Sequence, residues 1–564
     1  MHCPLPRPAV LPSRLVDVGA SPTDGCRLHL PADNETGVYL ALSHCWGGLI
    51  PTRTTRDTFA AFRHRIPEPL PPTFADAVTV TRALGVKYLW VDSLCIIQDS
   101  REDWAVQAPL MARVYGGALV TISADAAASS AQGFLAHADR ERYRPVRVPR
   151  GDDDGDGDDD QEGGGIWARE RGVLAYQAPF HGWAADAKVH SDRSDQRRHE
   201  FLASVRTRRG GDASRAVGRV LDRFCSQSKN TPPHSQLATR GWVFQERVLA
   251  PRTLHFGAAE MGWECRSLIS CECSAHSLRY RRTGSLLKGM VSGMGWTDVV
   301  AEYSRLDLTV WEDRLVAVAG LAEARWEGEE GEARWGGNRY AAGMWTRGLR
   351  AQLLWRTIFR RAPLGSYVAP SWSWASIAGS VHYQSVSPQA LGRWEVLSVH
   401  CPPAGESMFG NCQAGSFLEL EGQVVPVDLS PGVGYESQGW NIRPRGPEAR
   451  WPVAWQRINL HWDCDERKGR AVTKRETASF VFFIVMAEGE KMEGLLLKEL
   501  VLTPSAGVTS YERIAYLQER PLSRRRTWSD DSSDDEVEYE DEANYELSWG
   551  YWQSVARAVK IRVY

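Results

Sequence analysis

Three short apolar runs occur in the first part of the chain, and a stretch with helical spacing separates each run from the next. The runs are Val38–Ser43, Val86–Val91 and Ala118–Ser123, and such continuous apolar segments are typical of strands buried on both faces. The helical stretches begin near Thr73 and Ser100, whose hydroxyls can cap a helix. This alternation of strand and helix predicts an α/β domain with a parallel sheet.

The periodic pattern is then lost over a long stretch and returns beyond it. Between about 136 and 234, an acidic block at Gly151–Asp160 and a later arginine-rich segment lack apolar spacing, which predicts a disordered insertion. Helical spacing returns at Thr239–Leu249. Apolar runs at Thr253–Phe256 and Met261–Cys265 then predict two further strands.

The rest of the chain predicts a helical unit and a β-rich unit. Helical spacing covers Trp311–Ala322 and Tyr340–Trp355. Alternating or continuous apolar runs, such as Phe417–Val427 and Phe480–Met486, indicate strands nearer the C-terminus. The predicted division is an N-terminal extension (1–36), an α/β domain with the insertion (37–265), a mostly helical unit (296–380) and a β-rich unit (390–564) with a disordered acidic loop at 529–546.

Composition and charge argue against a nucleic-acid-binding, membrane-spanning or secreted protein. The 564 residues carry a formal net charge of −3, which gives no global attraction to nucleic acid or to an anionic membrane. No apolar run is long enough to span a bilayer, and prolines interrupt the N-terminus where a signal peptide would be apolar. Eleven irregularly spaced cysteines indicate reduced thiols in a cytoplasmic protein. A possible metal-binding group consists of Cys265, Cys271, Cys273 and His276. Its spacing lacks the paired pattern of zinc sites, so we expect no metal there.

Three motifs, in order along the chain, resemble the conserved blocks of one family. They are YLALSHCWG at 39–47, YLWVDSLCIIQ at 88–98 and RGWVFQER at 240–247. Together they resemble the fungal heterokaryon-incompatibility (HET) domain. Segments at 313–315 (DRL) and 370–374 (PSWSW) are similar to those that commonly follow it.

Two features depart from the family's pattern without removing a motif residue. One is the long insertion that precedes Leu237. The other is Pro109, which falls inside the helix that follows the second motif and is expected to kink that helix or delay its start.

The resemblance implies both a fold and a chemistry. HET domains are thought to be distant relatives of TIR domains, some of which cleave NAD⁺, so we expect a TIR-like or flavodoxin-like parallel sheet. TIR enzymes resemble one another in a helix whose tryptophan precedes a catalytic glutamate by four residues. Trp242 and Glu246 have this offset, which places them one helical turn apart on the same face.

Cleavage of the nicotinamide–ribose bond passes through an oxocarbenium-like transition state, which a nearby carboxylate can stabilise. Glu246 is the first candidate for that carboxylate. Asp92 is the second, because it ends a strand and ligands of open α/β sheets bind at the carboxyl ends of strands. The candidates for ligand binding in the same crevice are Ser43, His44, Trp46, Trp90, Trp242 and Gln245. No cofactor is required in this scheme, since NAD⁺ is the substrate.

Each candidate also has a structural alternative. Glu246 can form an ion pair with Arg240 or Arg247, Asp92 can cap a turn, His44 can be a turn histidine, and the tryptophans can be core residues. Two functions therefore stay open for an effector of fungal non-self recognition and cell death. One is a NAD⁺-cleaving enzyme activated by self-association or by a separate sensor protein. The other is a non-enzymatic adaptor that recruits protein partners.

Overall fold

The computed structural model of the chain forms two compact units, residues 1–294 and 295–564. The structure describes residues 8–21, 23–48, 52–135, 146–148, 166–168, 235, 237–258, 261–266, 268–271, 277–279, 295–328, 338–357, 366–383, 394–431, 440–445, 458–463, 479–488, 491–500, 508–519 and 556–564. Most of the insertion predicted at 136–234 lies outside the described residues, as does the acidic loop predicted at 529–546.

The described part of the first unit contains short strands and five α-helices. The strands are β1 (Ala9–Val10), β2 (Leu15–Asp17), β3 (Arg27–His29), β4 (Thr36–Gly37), β5 (Tyr39–Ser43), β6 (Tyr88–Trp90), β7 (Val120–Ser123), β8 (Val146–Val148), β9 (Ile166–Ala168), β10 (Arg252–Phe256), β11 (Met261–Cys265), β12 (Leu268–Cys271) and β13 (Ser277–Arg279). The helices are α1 (Arg56–Phe62), α2 (Pro72–Ala83), α3 (Asp92–Cys95), α4 (Arg101–Gly117) and α5 (Gly241–Leu249).

One large sheet organises the first unit, and its strand order is β13-β12-β11-β10-β7-β5-β6-β2-β3. The four neighbours β10, β7, β5 and β6 are parallel, and the outer pairings are antiparallel. Numbered along the chain, the parallel strands lie in the order 2-1-3-4, as in flavodoxin-like sheets. The predicted mixed α/β fold with a parallel sheet is therefore confirmed for this part of the chain.

The central strands run apolar because both faces of the sheet are covered. Leu40, Ala41 and Leu42 of β5 are fully buried, although their side chains point alternately to opposite faces. Phe74 of α2 and Tyr115 of α4 belong to the same apolar core. Burial from both sides explains why these strands show a continuous apolar run instead of an alternating pattern.

Two details of the helix starts differ from the sequence expectation. Ser100 caps α4 as predicted, with its hydroxyl accepting a hydrogen bond from the Asp103 backbone N–H. Thr73, however, is already inside α2, which begins at Pro72, because proline fits the first turn without losing a helical hydrogen bond. Pro109 does not delay α4, since the helix starts eight residues before it.

The segment set apart as an N-terminal extension takes part in the large sheet. β2 pairs antiparallel with β6, and β3 extends the sheet by one more strand. Leu15 and Val16 are buried in the core of the unit. These strands are three residues long, too short to produce a recognisable period in the sequence.

The second unit is described from residue 295. Its helices are α6 (Trp296–Tyr303), α7 (Val316–Gly328) and α8 (Leu349–Gln352). Its strands are β14 (Tyr340–Ala341), β15 (Met344–Trp345), β16 (Trp355–Thr357), β17 (Val381–Tyr383), β18 (Glu395–His400), β19 (Phe417–Pro431), β20 (Trp440–Pro444), β21 (Ile458–Trp462), β22 (Phe480–Glu488), β23 (Lys491–Glu499), β24 (Thr509–Glu519) and β25 (Arg557–Val563). Strands β18 to β25 form one sheet of mainly antiparallel pairings, which confirms the β-rich C-terminal part.

The helix predicted over Tyr340–Trp355 is wrong. This stretch forms the hairpin β14–β15, the four-residue helix α8 and the start of β16. Ala342, Gly343 and Gly348 have φ values of 45°, 86° and 76°. These left-handed conformations break a helix, and two of the three are supplied by glycine, which adopts them without strain.

Buried tryptophans explain the PSWSW segment. Trp372 and Trp374 are fully buried. The indole N–H groups of Trp374 and Trp296 both donate to the Gly343 carbonyl, at 2.9 and 2.8 Å. The segment therefore supplies two core aromatics, one of which shares its carbonyl acceptor with Trp296 of α6, a structural role in this unit.

Candidate functional site

The site predicted from the sequence lies where the order of the parallel strands reverses. From β5 the chain crosses to β6 on one side, and from β7 it crosses to β10 on the other. In open α/β sheets the crevice for ligands forms at the carboxyl ends of such strands. Ser43 ends β5, and Asp92 follows β6 by two residues.

Glu246 of α5 is a buried carboxylic acid at this edge. It is 7% exposed, and its Oε2 has no hydrogen-bond partner among the described residues. Burial raises the pKa of Glu246 to about 7, and the negative charge of Asp92 adds to that increase. The hydroxyls of Ser43 and Tyr115 and the guanidinium of Arg240 lower it in part. The acid can therefore exchange a proton near neutral pH, which is rare for a glutamate.

The first and second sequence motifs meet beside Asp92. The indole N–H of Trp46 donates to Asp92 Oδ2 at 2.8 Å, and His44 Nδ1 lies 3.7 Å from Asp92 Oδ1. The backbone N–H of Ser93 also donates to Oδ1, at 2.6 Å. Asp92 thus binds the backbone N–H of Ser93 and at the same time holds Trp46, while its catalytic role stays a prediction.

His44 is almost fully enclosed, and its ring packs edge-on against Phe74. Burial lowers the pKa of His44, Asp92 acts in the opposite direction, and Arg240 lowers it further. Its Nε2 has no hydrogen-bond partner among the described residues. The imidazole is therefore held mainly neutral at this edge, a form that can accept a proton.

Arg240 connects the third motif to the first. Its guanidinium donates to the backbone carbonyl of His44 at 3.0 Å. The same positive charge acts on Glu246, His44 and Cys45, whose pKa values it lowers. This arginine precedes α5 directly, so it fixes the start of the helix that carries Glu246 against the end of β5.

Tyr115 was not predicted as a site residue. Its hydroxyl donates to the Leu42 carbonyl at 3.1 Å, and burial, followed by the charge of Glu246, raises its pKa well above the ordinary value. In the sequence Tyr115 has the helical spacing of a core residue. Only its position in the helix that follows the second motif could have drawn attention to it.

A second polar cluster, also absent from the sequence prediction, joins α5 to the strands β10 and β11. His255 Nδ1 is 2.8 Å from Asp125 Oδ2, and its Nε2 is 3.2 Å from Glu264 Oε2. Arg247 Nε donates to the same Glu264 oxygen at 2.8 Å, and the Ser235 hydroxyl donates to Asp125 at 3.0 Å. All five residues are buried. No sequence motif joins them, because they come from five separate segments.

An ion pair and hydrogen bonds connect this cluster. Ionised carboxylates only accept hydrogen bonds, so both ring contacts of His255 are hydrogen bonds when each nitrogen carries a proton. The Arg247–Glu264 ion pair and the two ring contacts of His255 join all four side chains. Such pairing makes buried charge tolerable, which identifies the cluster as a structural support.

The remaining predicted site residues lie in apolar or enclosed positions. Trp90 is 2% exposed in the core, with its ring edge-on to Tyr115. Trp242 is half-buried against that core. Gln245 is 2% exposed. The structure thus brings Ser43, His44, Trp46, Asp92 and Glu246 to one edge of the sheet, and Trp90 packs beneath them.

Two further properties concern the described residues only. Among them no group of three or more histidine, cysteine and acidic side chains is arranged to hold a metal ion. Cys273 and His276, half of the cysteine-rich group, lie outside the described residues. Of the helices that the structure describes, none combines the length and apolar character needed to cross a membrane.

Comparison with known families agrees with this geometry. Residues 39–246 match the family described as "Heterokaryon incompatibility protein (HET)". The match begins at the first residue of β5 and ends at Glu246, so it contains the whole cluster around Asp92 and the buried acid. This α/β unit therefore contains a HET domain, and the chain is a HET domain-containing protein.

At the level of the family, the match implies a role in heterokaryon incompatibility. Searches of curated proteins and of solved structures found no match to the chain. The chemistry of the site must therefore be argued from its own residues.

Proposed function

We propose that the HET domain is an effector of fungal non-self recognition that causes cell death by cleaving NAD⁺. In this proposal Glu246 is the catalytic carboxylate. The reaction consumes NAD⁺ and water and yields nicotinamide, ADP-ribose and a proton.

The observation that carries the proposal is the state of Glu246. Among the described residues it forms no ion pair, its Oε2 has no hydrogen-bond partner, and it lies at the reversal point of the parallel sheet. A buried carboxyl group without a counter-ion costs folding free energy. Such groups are concentrated where a ligand or a transition state supplies the missing partner.

The proposed chemistry needs little more than this carboxylate. The bond between ribose C1′ and the nicotinamide nitrogen breaks, and the electron pair stays on nicotinamide, a good leaving group because its nitrogen is already cationic. The ribose ring acquires oxocarbenium character, which ionised Glu246 stabilises across a short distance in a medium of low polarity. Water then adds to C1′ and loses its proton.

The neighbouring side chains have secondary roles in the proposal. Ser43 and Tyr115 interact with the Glu246 carboxyl and keep part of it ionised at neutral pH. Trp46, fixed by Asp92, offers a half-buried ring for stacking on a base or on nicotinamide. The strand order 2-1-3-4 and the Trp242–Glu246 offset support the further proposal of a TIR-like domain.

The competing function is a non-enzymatic adaptor that triggers death by recruiting protein partners. The observation in its favour is the burial of the site, since Glu246 is only 7% exposed and His44 only 4%. In that case the raised pKa of Glu246 is a cost of packing, and the motif residues maintain a surface that another protein recognises.

The deciding experiment measures NAD⁺ and survival together. The full chain is expressed in a heterologous cell as a fusion to a domain that dimerises on addition of a drug, so that self-association can be imposed. Wild type is compared with Glu246→Gln, which keeps the shape of the side chain, and with Glu102→Gln, an exposed control on α4. We expect NAD⁺ loss and death in wild type and control, and a fall in the cleavage rate of about 10³-fold in Glu246→Gln.

The other outcomes separate the two functions. Death with unchanged NAD⁺ in wild type would exclude NAD⁺ cleavage and favour the adaptor. NAD⁺ loss that persists in Glu246→Gln would retain the enzyme but remove Glu246 from its centre. Purified full-length chain incubated with NAD⁺ and assayed for nicotinamide release shows whether the activity belongs to this chain itself.

A further inference from the structure

Two cysteines of the second unit, Cys401 and Cys412, lie together in the connection between β18 and β19. Pro403 pairs with Cys412 in an isolated antiparallel bridge, and the backbone N–H of Gln413 donates to the Pro402 carbonyl at 2.9 Å. Cys401 precedes Pro403 by two residues, so the cysteines occupy diagonal positions on a paired segment. Diagonal neighbours on one face lie roughly 7–8 Å apart, and somewhat closer between their Cβ atoms, so the two thiols are near each other.

Shared neighbours confirm that the two thiols form one cluster. The Tyr367 hydroxyl lies 3.8 Å from Cys412 Sγ, and the Ser416 hydroxyl interacts with both thiols. Hydrogen bonding with Cys401 lowers the pKa of Cys412 to about 7, and the same contact raises the pKa of Cys401. A sizeable fraction of Cys412 is therefore thiolate at neutral pH, the form that reacts with oxidants.

The other cysteines of the described chain have different surroundings. Cys95 is buried in the apolar core, and burial raises its pKa to about 12. Burial also raises the pKa of Cys26 and of Cys45. Cys401, by contrast, is partly exposed, and Cys412 beside it is 6% exposed. An acidified thiol beside a second thiol that can react with its oxidised form is the arrangement that favours reversible oxidation.

We propose that Cys401 and Cys412 form a thiol-oxidation site, at which a peroxide converts the two thiols to a disulfide and a dithiol reductant restores them. The Cys412 thiolate attacks a peroxide oxygen, the O–O bond breaks, and with a proton the first water leaves, giving a sulfenic acid. The Cys401 sulfur then attacks the Cys412 sulfur, the S–O bond breaks, and the proton of Cys401 leaves with hydroxide as the second water. Two thiols and one hydrogen peroxide thus give one disulfide and two waters.

The disulfide would close a segment that is already docked on its unit. Phe409, between the two cysteines, packs its ring against Tyr340 and Trp345 with centroids 5.5 and 6.2 Å apart. A cross-link that matches the folded arrangement restricts the unfolded chain more than the folded one. Oxidation should therefore raise the Tm of the second unit.

The test is a disulfide map of the full chain. Native protein is treated with equimolar hydrogen peroxide, alkylated, and digested with a glutamyl endopeptidase, which cuts after Glu406 between the two cysteines. We expect peptides 396–406 and 407–419 to be linked, and dithiothreitol to release them. The link should form at least tenfold faster in the native chain than in the urea-unfolded chain, because folding holds the thiols together.

Controls distinguish this pair from general thiol oxidation. Cys401→Ser should abolish the linked peptides and leave Cys412 as a sulfenic acid that dimedone traps, whereas Cys26→Ser should leave the yield unchanged. A wild-type chain whose two thiols stay alkylatable after peroxide, or which forms the link equally fast when unfolded, would overturn the proposal. Because this comparison uses the wild type, it stands even if a variant fails to fold.

Discussion

Two buried glutamates of the first unit, Glu246 on α5 and Glu264 on β11, have opposite surroundings. Glu264 is fully buried, accepts a hydrogen bond from Arg247 at 2.8 Å and lies 3.2 Å from the ring of His255. Glu246 is nearly as buried, yet it has no ion pair among the described residues and its pKa is raised to about 7. Arg247, the cation that pairs with Glu264, is the next residue along α5.

The difference separates a structural acid from a candidate functional acid. A charge inside a protein is tolerated when an opposite charge lies beside it, as Arg247 does at Glu264 Oε2. A buried acid without an ion pair lowers stability, and it persists where it has another use. Two adjacent residues of α5 therefore have different roles: Arg247 forms an ion pair that stabilises the helix, and Glu246 is the candidate to contact a ligand.

The largest expected effect is the loss of the paired acid. Glu264→Gln should lower the free energy of unfolding by about 4 kcal/mol, because Arg247 and His255 then lose the negative charge between them. Denaturant titration of the full chain measures this free energy on the transition that the Glu264→Gln substitution shifts. Glu102→Gln, which removes an exposed partner of Arg56, should leave stability almost unchanged. A loss at Glu264 no larger than that of the control would contradict the assignment of the cluster as structural.

The stability that Glu246 contributes should fall as pH rises, because this acid has no ion pair among the described residues. Its folded pKa of about 7 lies above the ordinary value of 4.5, so the folded state binds the proton more tightly. The associated stability is fully present below about pH 4.5, is lost as pH rises through 7, and then levels off. Relative to Glu246→Gln, wild type should lose about 3 kcal/mol across that range.

Parallel denaturant titrations of wild type and Glu246→Gln, from about pH 5 to about pH 8, measure this difference. If the difference in unfolding free energy between the two proteins did not change with pH, the Glu246 carboxylate would have to be stabilised by partners in the folded chain. The distinction between Glu246 and Glu264 would then disappear.

The smallest effect concerns the rim of the site. Trp46→Phe removes the hydrogen bond to Asp92, whose side chain is 22% exposed, and should cost about 1 kcal/mol. Trp104→Phe, an exposed tryptophan on α4, serves as the control in the same titration and should cost less. If the two variants were equally stable, Asp92 would not hold Trp46 in solution, and the proposed stacking platform would lose its support.

The sequence alone was sufficient for the parallel core of the first unit and for the family. The apolar runs predicted β5, β6 and β7 because strands covered on both faces must be apolar throughout, and the motifs predicted a HET domain. The sequence also pointed to Glu246, through its offset from Trp242. It was insufficient where conformation depends on single glycines, as at Gly343 and Gly348, which turned a predicted helix into a hairpin.

Only the tertiary structure decided which acids are paired. Glu246 and Glu264 are each the only acidic residue of a short predicted element, and the sequence of that element does not show whether the acid is paired. Their difference arises because folding brings Arg247 and His255 to Glu264, but the hydroxyls of Ser43 and Tyr115 and a more distant arginine to Glu246. Burial and charge pairing are properties of residues distant along the chain, so they exist only once the sheet has formed.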